Sequence, residues 1–303
     1  MARPTVALLN EATWLAPVEP AWAWYADQIR DEDACLTAGL EALGLQAERV
    51  AWDDPATLSR PWAAAVIRAT WDYHTRLDAF QRVLEALAGR TRLVNPWPVV
   101  AWNLDKRYLL ALEGRGVPIV PTRVVEPGAA PDLMDAAAAF GACELVAKPT
   151  VSGGARDTFR LAGDALARPP REAVEAMGRE RYLLQPFQAS IMERGEVSLV
   201  VIDGVVRHAV RKVPRAGDFR VQDDYGGQVL AYAPDRDEVA FAEAVVAAVS
   251  PRPAYARVDA VRDASGGLVL MELELIEPEL FLRFSASAAQ ALATAVARII
   301  LTG

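Results

Sequence analysis

Apolar positions along the chain recur with a two-residue period in some stretches and a 3.6-residue period in others, and the two alternate, which predicts a layered α/β protein. Thr5–Leu9 is a continuous apolar run and reads as a buried first strand. A helix capped by Asp33 should follow, with Leu36, Leu40 and Leu43 on one face and Gly44 at its end. Ala47–Val50 and Ala63–Ile67 read as strands, Leu77–Ala88 as an amphipathic helix, and Arg92–Val94 as a short strand. Residues 1–98 are therefore expected to form a parallel α/β domain. Asn10–Arg30 carries four aromatic residues and two prolines. It is expected to be a long loop at the C-terminal edge of the first strand, where open α/β sheets bind ligands.

Beyond residue 98 the pattern predicts a helix over Asn103–Gly114, a strand over Ile119–Val125 and a helix over Asp132–Phe140. Strands at Leu145–Lys148, Thr158–Leu161 and Tyr182–Pro186 complete a compact unit of mixed sheet, residues 99–186. Residues 187–303 hold a hairpin, Glu196–Ile202 and Val205–Val213 around Asp203-Gly204, a strong hairpin signal. A polar loop, Pro214–Gln228, and a helix, Asp237–Ser250, come next. A second hairpin, Ala256–Val261 and Leu268–Ile276, precedes a final apolar-faced helix, Ser285–Ile300.

Composition fits a soluble enzyme of two or three modest domains: 303 residues, 52% hydrophobic and 24% charged. A net charge of −8 argues against a broad nucleic-acid surface. No apolar run spans a bilayer and no signal peptide opens the chain, so a cytoplasmic location is the expectation, without a membrane partner. Cys35 and Cys143 are far apart and read as free thiols, and His74 and His208 are too few for a zinc site.

Only three lysines, Lys106, Lys148 and Lys212, stand against 29 arginines. A chain this biased rarely needs an ammonium for solubility, whereas a compact point charge suits a phosphate oxygen. Lys148 precedes Ser152-Gly153-Gly154, where glycine lets backbone N–H groups approach a phosphate; a simple turn after an edge strand would look the same. Gln185-Pro186-Phe187 could offer backbone groups and an aromatic wall to a flat base, or be an ordinary strand exit. Glu193 and Glu196 could accept bonds from ribose hydroxyls or face water. Glu272 and Glu274 leave one face of a strand, with Met271, Leu273 and Leu275 expected on the other and Asp259 expected opposite Glu272. Three carboxylates so placed either form a solvated face or hold Mg²⁺. The apolar flanks favour a buried strand, where unneutralised charge is costly.

In order and spacing these pieces resemble the ATP-grasp superfamily, especially its glutathione-synthetase-like branch and the ribosomal-protein glutamate ligases, over roughly residues 66 to 285. The resemblance implies an ATP-grasp fold, with the N-terminal α/β domain preceding two mixed-sheet subdomains that clasp ATP. By that likeness Lys106 and Lys148 bind phosphates with Ser152, Gly153 and Gly154. Gln185, Pro186, Phe187, Glu193 and Glu196 then face the nucleoside, and Asp259, Glu272 and Glu274 hold one or two Mg²⁺ (or Mn²⁺). Arg211–Gly227 is similar to the branch's loop over the acyl phosphate, making Lys212 and Arg220 catalytic. Lys212 replaces the usual arginine there, and Glu274 the more common asparagine. Arg68 stands where glutathione synthetases carry an arginine, which makes it a candidate for a substrate carboxylate, with Trp71 and Tyr73 shaping the pocket. The residues after Arg68 depart from that pattern, so a different substrate is expected. Glu277 could hold a substrate amine or be a structural residue. Small cyclo-ligases of the cycloserine pathway are similar in size and in the Thr70-Trp71-Asp72-Tyr73 stretch.

The implied activity is an ATP- and Mg²⁺-dependent carboxylate–amine ligase passing through an acyl phosphate and releasing ADP. The alternatives are an intramolecular cyclo-ligase of the O-ureidoserine type, a small-molecule kinase, and a nucleotide-binding protein without turnover. A homodimer or homotetramer is the family's usual assembly.

Overall fold

The computed structural model describes residues 3–129, 131–221 and 226–302. Thirteen strands lie within them: β1 (Thr5–Asn10), β2 (Gln46–Ala51), β3 (Ala64–Ile67), β4 (Leu93–Val94), β5 (Arg123–Val125), β6 (Glu144–Pro149), β7 (Phe159–Ala162), β8 (Tyr182–Pro186), β9 (Glu196–Ile202), β10 (Val205–Val213), β11 (Gln228–Tyr232), β12 (Tyr255–Arg262) and β13 (Leu268–Glu274). They form three sheets, ordered β2-β1-β3-β4, β5-β8-β6-β7 and β11-β10-β9-β12-β13. The first is parallel and the other two are antiparallel.

The first strand is apolar throughout because both of its faces are covered. Val6 and Leu8 meet Leu36 and Leu40 of the helix Ala23–Ala42, while Ala7 and Leu9 meet Phe80, Leu84 and Leu87 of the helix Leu77–Ala88. The chain's last helix, Ala286–Thr302, returns to this layer through Leu292 and Val296. Its crossing with Ala23–Ala42 needs Gly39, where a Cβ would sit 2.9 Å from that of Ala293.

Face alternation in the five-stranded sheet decides where the site can lie. Leu199, Val201, Val258 and Leu273 pack on one face under the helix Arg236–Ala247. The other face of β9 reads Glu196, Ser198, Val200, Ile202. Its apolar half joins the core shared with the N-terminal sheet, and its polar half is left at the end facing the second sheet.

Several sequence expectations change. Asp33 is no helix cap: it lies buried in the middle of Ala23–Ala42 and pairs with Arg68 and Arg49 at 3.1 and 2.8 Å. Asn10–Arg30 is likewise not all loop, because short 3₁₀ turns at Ala12–Leu15 and Pro20–Trp22 lead into that helix, and Tyr25 packs on Trp71. The helix expected over Asn103–Gly114 is split into Trp97–Asn103 and Tyr108–Glu113. The Lys106 amide donates to the Thr150 carbonyl (2.8 Å) and the Asp105 carboxylate accepts from the Arg107 amide (2.9 Å), so the helix ladder is broken between them. Ile119 makes a single bridge to Leu270, and regular pairing begins at Arg123. Cys35 and Cys143 are free thiols. No described helix is long and apolar enough to cross a membrane.

One buried side chain ties the N-terminal layer to the five-stranded sheet. Asn95 Nδ2 donates to the carbonyls of Tyr255 (2.9 Å) and Leu275 (2.8 Å), and its Oδ1 accepts from the Ala254 amide (2.6 Å). An alanine there leaves three buried backbone groups unmet. We therefore expect Asn95→Ala to lower unfolding free energy by about 3 kcal/mol or more, measured as a shift in the urea midpoint at constant m-value.

Candidate active site

Between the two antiparallel sheets lies a cleft of about 1230 Å³. Sites for one drug-sized ligand run about 300–1,000 Å³, so there is room for two small molecules. β6 presents Val146 and Lys148 to the cleft by its two-residue period, while Leu145 and Ala147 enter the core behind. The Lys148 ammonium is buried, 3.4 Å from the Met271 carbonyl oxygen, and pairs with no carboxylate among the described residues. Burial pushes its pKa down against the pull of Glu272.

Ser152–Gly154 follow at the cleft wall. Gly154 has φ +56°, and a Cβ on Gly153 would meet the His74 ring at 3.3 Å. Lys106, in the turn before Tyr108, donates to the Ser152 carbonyl (2.7 Å) and hydroxyl (3.2 Å) and pairs with Glu272 (3.3 Å). It fastens the small-residue loop to the acidic strand.

Opposite lies the floor, built on β10, β9, β12 and β13. Lys212 faces Glu196 across the β10–β9 pair, Asp259 faces Ser198 and Glu272, and Arg257 faces Glu274. The Asp259–Glu272 register is the one expected from the sequence. Just beyond it a bulge pairs Ala260 with Leu270 and leaves Met271 as the extra residue. Met271 therefore lines the cleft beside Glu272 instead of joining Leu273 and Leu275 in the core. As an edge strand, β13 has its backbone met by side chains. Asn103 bonds Leu273 O and Leu275 N (2.9 and 2.8 Å), and the Leu273 amide donates to Tyr108 Oη (3.0 Å).

Charge on this floor is nearly balanced from within. Lys212 Nζ sits 2.5 Å from Glu196 and 3.1 Å from Asp259. Arg257 holds Asp259 through Nε and Nη2 (3.0 and 2.9 Å) and also pairs with Glu274. Asp259 accepts a further bond from Ser198 (2.6 Å). Burial would raise the Asp259 pKa, but Arg257 and Lys212 outweigh it and hold the group ionised. Lys212 stays charged between two carboxylates despite its burial, and Glu196 is pushed up by burial and partly relieved by Lys212. For Glu272, Lys106 and Lys148 overcome burial and lower the pKa. Glu274 is raised to about 7 by burial and by Asp259 and Glu272, against Arg257. Burial, aided by Glu274, lifts Glu277 to about 8.

Four expected site residues are placed elsewhere. Lys212 and Asp259 do not line the cleft; they neutralise one another beneath it, and Arg257 is the cation that the floor presents. Arg68 lines a separate small cavity, buried against Asp33 and Glu32, where two carboxylates from adjacent helix positions occupy its guanidinium. Glu193 is exposed on the short helix Ser190–Arg194. Gln185, Pro186, Phe187, Glu196, Trp71, Tyr73 and Glu277 all line the cleft. Arg220 lines it too, paired with Asp218 (2.6 Å), whereas residues 222–225 of the expected covering loop lie outside the described residues. Arg257, Arg156 and His74 line the cleft and were not anticipated. Arg257 was legible in principle, since it lies two residues before Asp259 and so on the same strand face.

Sequence and structure comparisons agree on the family. A family model described as D-cycloserine synthetase DcsG, N-terminal domain, matches residues 6–95. The cycloserine biosynthesis protein DcsG of Streptomyces lavendulae is 34% identical over 289 residues, 88% of this chain and 91% of that protein. The crystal structure of D-cycloserine synthetase DcsG is similar with a TM-score of 0.83 at 32% identity, over 97% of this chain and 99% of that one. The ATP-grasp ligase PsnB, solved with Mg and ADP, shares the fold at a TM-score of 0.63 and 16% identity, over 99% of each chain. The chain belongs to the ATP-grasp ligases.

The residues present fit that family's nucleotide and metal. A buried ammonium without an anion, Lys148, faces a carboxylate pair, Glu272 and Glu274, whose second member is too crowded to ionise readily. Among the described residues no three acidic, histidine or cysteine side chains gather into a protein-only metal site. Of the expected trio, Glu272 and Glu274 line the cleft, and Asp259 lies beneath it, paired with Arg257 and Lys212. Mg²⁺ commonly takes only one or two carboxylates and completes its shell with phosphate and water.

Glu277 provides a stability test of this ATP-grasp site without ligand. Its pKa is raised, so the stability of the neutral form is full below about pH 4.5 and is lost as pH rises through about 8. Glu277→Gln should thus be more stable than the parent at pH 9, by roughly 2 kcal/mol or more. The gain should vanish at pH 4.5, as read from denaturant midpoints at both pH values.

Proposed function

We propose that this ATP-grasp ligase activates the carboxylate of a small amino-acid-like molecule as an acyl phosphate, which a nitrogen nucleophile then captures. The observation that carries this is the meeting of Lys106 and Lys148 with Glu272 and Glu274 across one cleft with room for a nucleotide and a second molecule. Lys148 and Lys106 would hold phosphate oxygens, with Gln185–Phe187 along the base. Mg²⁺ on Glu272 and Glu274 would supply charge neutralisation to the phosphates. A substrate carboxylate oxygen attacks the γ-phosphorus and ADP leaves. The nitrogen then adds to the acyl carbon, loses its proton and expels phosphate. Such chemistry rests on positioning and charge more than on a protein nucleophile. Arg257, open to the cleft and fixed by two carboxylates, suits the developing oxyanion better than Lys212.

Ring closure within one molecule is the second reading, supported by the likeness to D-cycloserine synthetase over nearly the whole chain. In that case carboxylate and nitrogen belong to one substrate, as in O-ureidoserine, and a single compound suffices for ADP release. In a screen of O-ureido-D-serine and single and paired amino acids with ATP and Mg²⁺, we expect ADP and free phosphate in equal amounts, with mass analysis giving the product. Glu272→Gln should cut the rate at least a hundredfold. Accumulation of a phosphorylated product instead of free phosphate would mark a kinase, and undiminished turnover by the variant would remove Glu272 from the mechanism.

A further inference from the structure

His74 lines the cleft and has no part in the chemistry described so far. It belongs to the N-terminal layer, on the 3₁₀ turn Trp71–Thr75, yet its ring lies against the loop that follows β6. A Cβ on Gly153 would stand 3.3 Å from His74 Cδ2 and 3.9 Å from Nε2, so a glycine there lets the loop backbone approach the ring. The turn that carries the ring is fixed. The Tyr73 amide donates to the Thr70 carbonyl (3.0 Å), the Thr75 hydroxyl donates to the Asp72 carbonyl (2.8 Å), and the Tyr73 ring is buried on Phe80.

The ring itself is uncommitted. Nδ1 is buried without a hydrogen-bond partner, and no described residue bonds Nε2. Burial, then Arg156 and Lys106, hold its pKa below the usual histidine value against Asp72 and Glu180. Neither acid is free to pair with the ring. Asp72 accepts from Trp52 Nε1 (2.9 Å) and pairs with Arg76, while Glu180 takes both terminal nitrogens of Arg156 (2.9 Å each). His74 is therefore a neutral imidazole at neutral pH. A buried N–H without an acceptor costs more than a buried lone pair, so the proton belongs on Nε2, the nitrogen nearer the loop. A donor beside two cations, given no acceptor by the protein, suits an anionic oxygen.

Strand register says which oxygen. β6 runs from Val146, opposite Gln185, through Lys148, opposite Leu183, to the loop at Ser152 and Gly153. A nucleotide with its base along Gln185–Phe187 and its phosphates on Lys148 thus brings the far end of its phosphate chain to the loop where His74 lies. We propose that His74 Nε2 donates to an oxygen of the terminal phosphoryl group, which makes it a catalytic residue of phosphoryl transfer supplied by the N-terminal layer. As a carboxylate oxygen bonds to the γ-phosphorus, the bond from that phosphorus to the β–γ bridging oxygen breaks and ADP leaves with the electron pair. His74 keeps its proton throughout and bonds an oxygen on which charge gathers. This rests on the nucleotide placement in the ligase reading above and adds the contact that tells a triphosphate from a diphosphate.

Because the chain has only two histidines, the test can be read on their ring protons. Proton NMR titrations between about pH 5 and 8 follow His74 and His208 in the parent protein alone, with Mg²⁺ and ADP, and with Mg²⁺ and a non-hydrolysable ATP analogue. Calorimetry establishes that each nucleotide is bound, and His74→Gln or His208→Gln assigns the two signals. His208 lies on β10 and does not line the cleft, so it serves as the internal control. With the ATP analogue the His74 pKa should rise by about one unit or more, with ADP by much less, and His208 should stay in place. In ADP-release assays His74→Ala should lower kcat about a hundredfold. His74→Gln, whose amide reaches toward the Nε2 position, should recover part of that loss. A bound analogue that leaves His74 unmoved, an equal shift with ADP, or an undiminished kcat in His74→Ala overturns the proposal while the ligase reading stands. Failure of both nucleotides to bind removes the nucleotide placement and the proposal together.

Discussion

A buried guanidinium makes the floor of this cleft possible. Arg257 sits on β12 with Asp259 two residues along its own strand and Glu274 across from it, and it bonds both. Without a cation there, buried Asp259 and the half-buried Glu272 and Glu274 would face one another across a short distance with little to offset their repulsion. Breaking a buried pair by removing one partner typically costs about 3–5 kcal/mol, and here Glu274 would lose its partner while Asp259 would keep only Lys212 and Ser198. Lys212 does the same for Glu196 and Asp259 on the other flank. The acidic face is thus largely neutralised by protein cations, and of its carboxylates Glu272 and Glu274 reach the cleft while Asp259 lies beneath it.

Holding that pair in place is a separate problem, because β13 is an edge strand. Its unpaired amides and carbonyls would ordinarily be a liability. Asn95, Asn103 and Tyr108 meet them with side chains from the segment that links the N-terminal layer to the second sheet. Tyr255 of β12 places its hydroxyl between the Ile276 carbonyl, to which it donates (2.8 Å), and the Ile67 carbonyl of the first sheet (3.3 Å). The cleft-facing carboxylates, the Lys106 turn and the N-terminal layer consequently share one hydrogen-bonded frame, and Lys148 closes the cleft from the opposite sheet.

How much of this the sequence disclosed follows from which forces were local. Strands buried on both faces, such as β1, read as apolar runs, and the Asp203-Gly204 hairpin was placed to the residue because turn chemistry is local. The acidic strand, its register against Asp259 and the loop after Lys148 were legible for the same reason. Tertiary effects were not. Asp33 has the composition of a cap, but aromatic packing of Tyr25 on Trp71 starts the helix ten residues earlier and Arg68 claims the carboxylate. Lysine scarcity marked Lys212 as important without saying which way it points. The bulge at Met271 shifts the alternation by one residue, and no residue type there announces it.

Pairing also separates the structural charges from the functional ones. Asp33, Glu32 and Arg68 are buried beneath the aromatic segment and, with half-buried Arg283, form an ionic group in which each charge has a partner of opposite sign. Lys148 and Glu277 differ in kind: each is buried, each opens on the cleft, and among the described residues neither forms an ion pair. Burying an ionisable group without a partner is costly, and Glu277 escapes part of that cost by keeping its proton up to about pH 8. Their signs are opposite, so an anion would complete the pairing of Lys148 near β6, whereas Glu277 can stay neutral by keeping its proton. On the proposed reading a nucleotide phosphate would complete the first pair, with Lys106 and Arg257 as the further cations on the cleft wall.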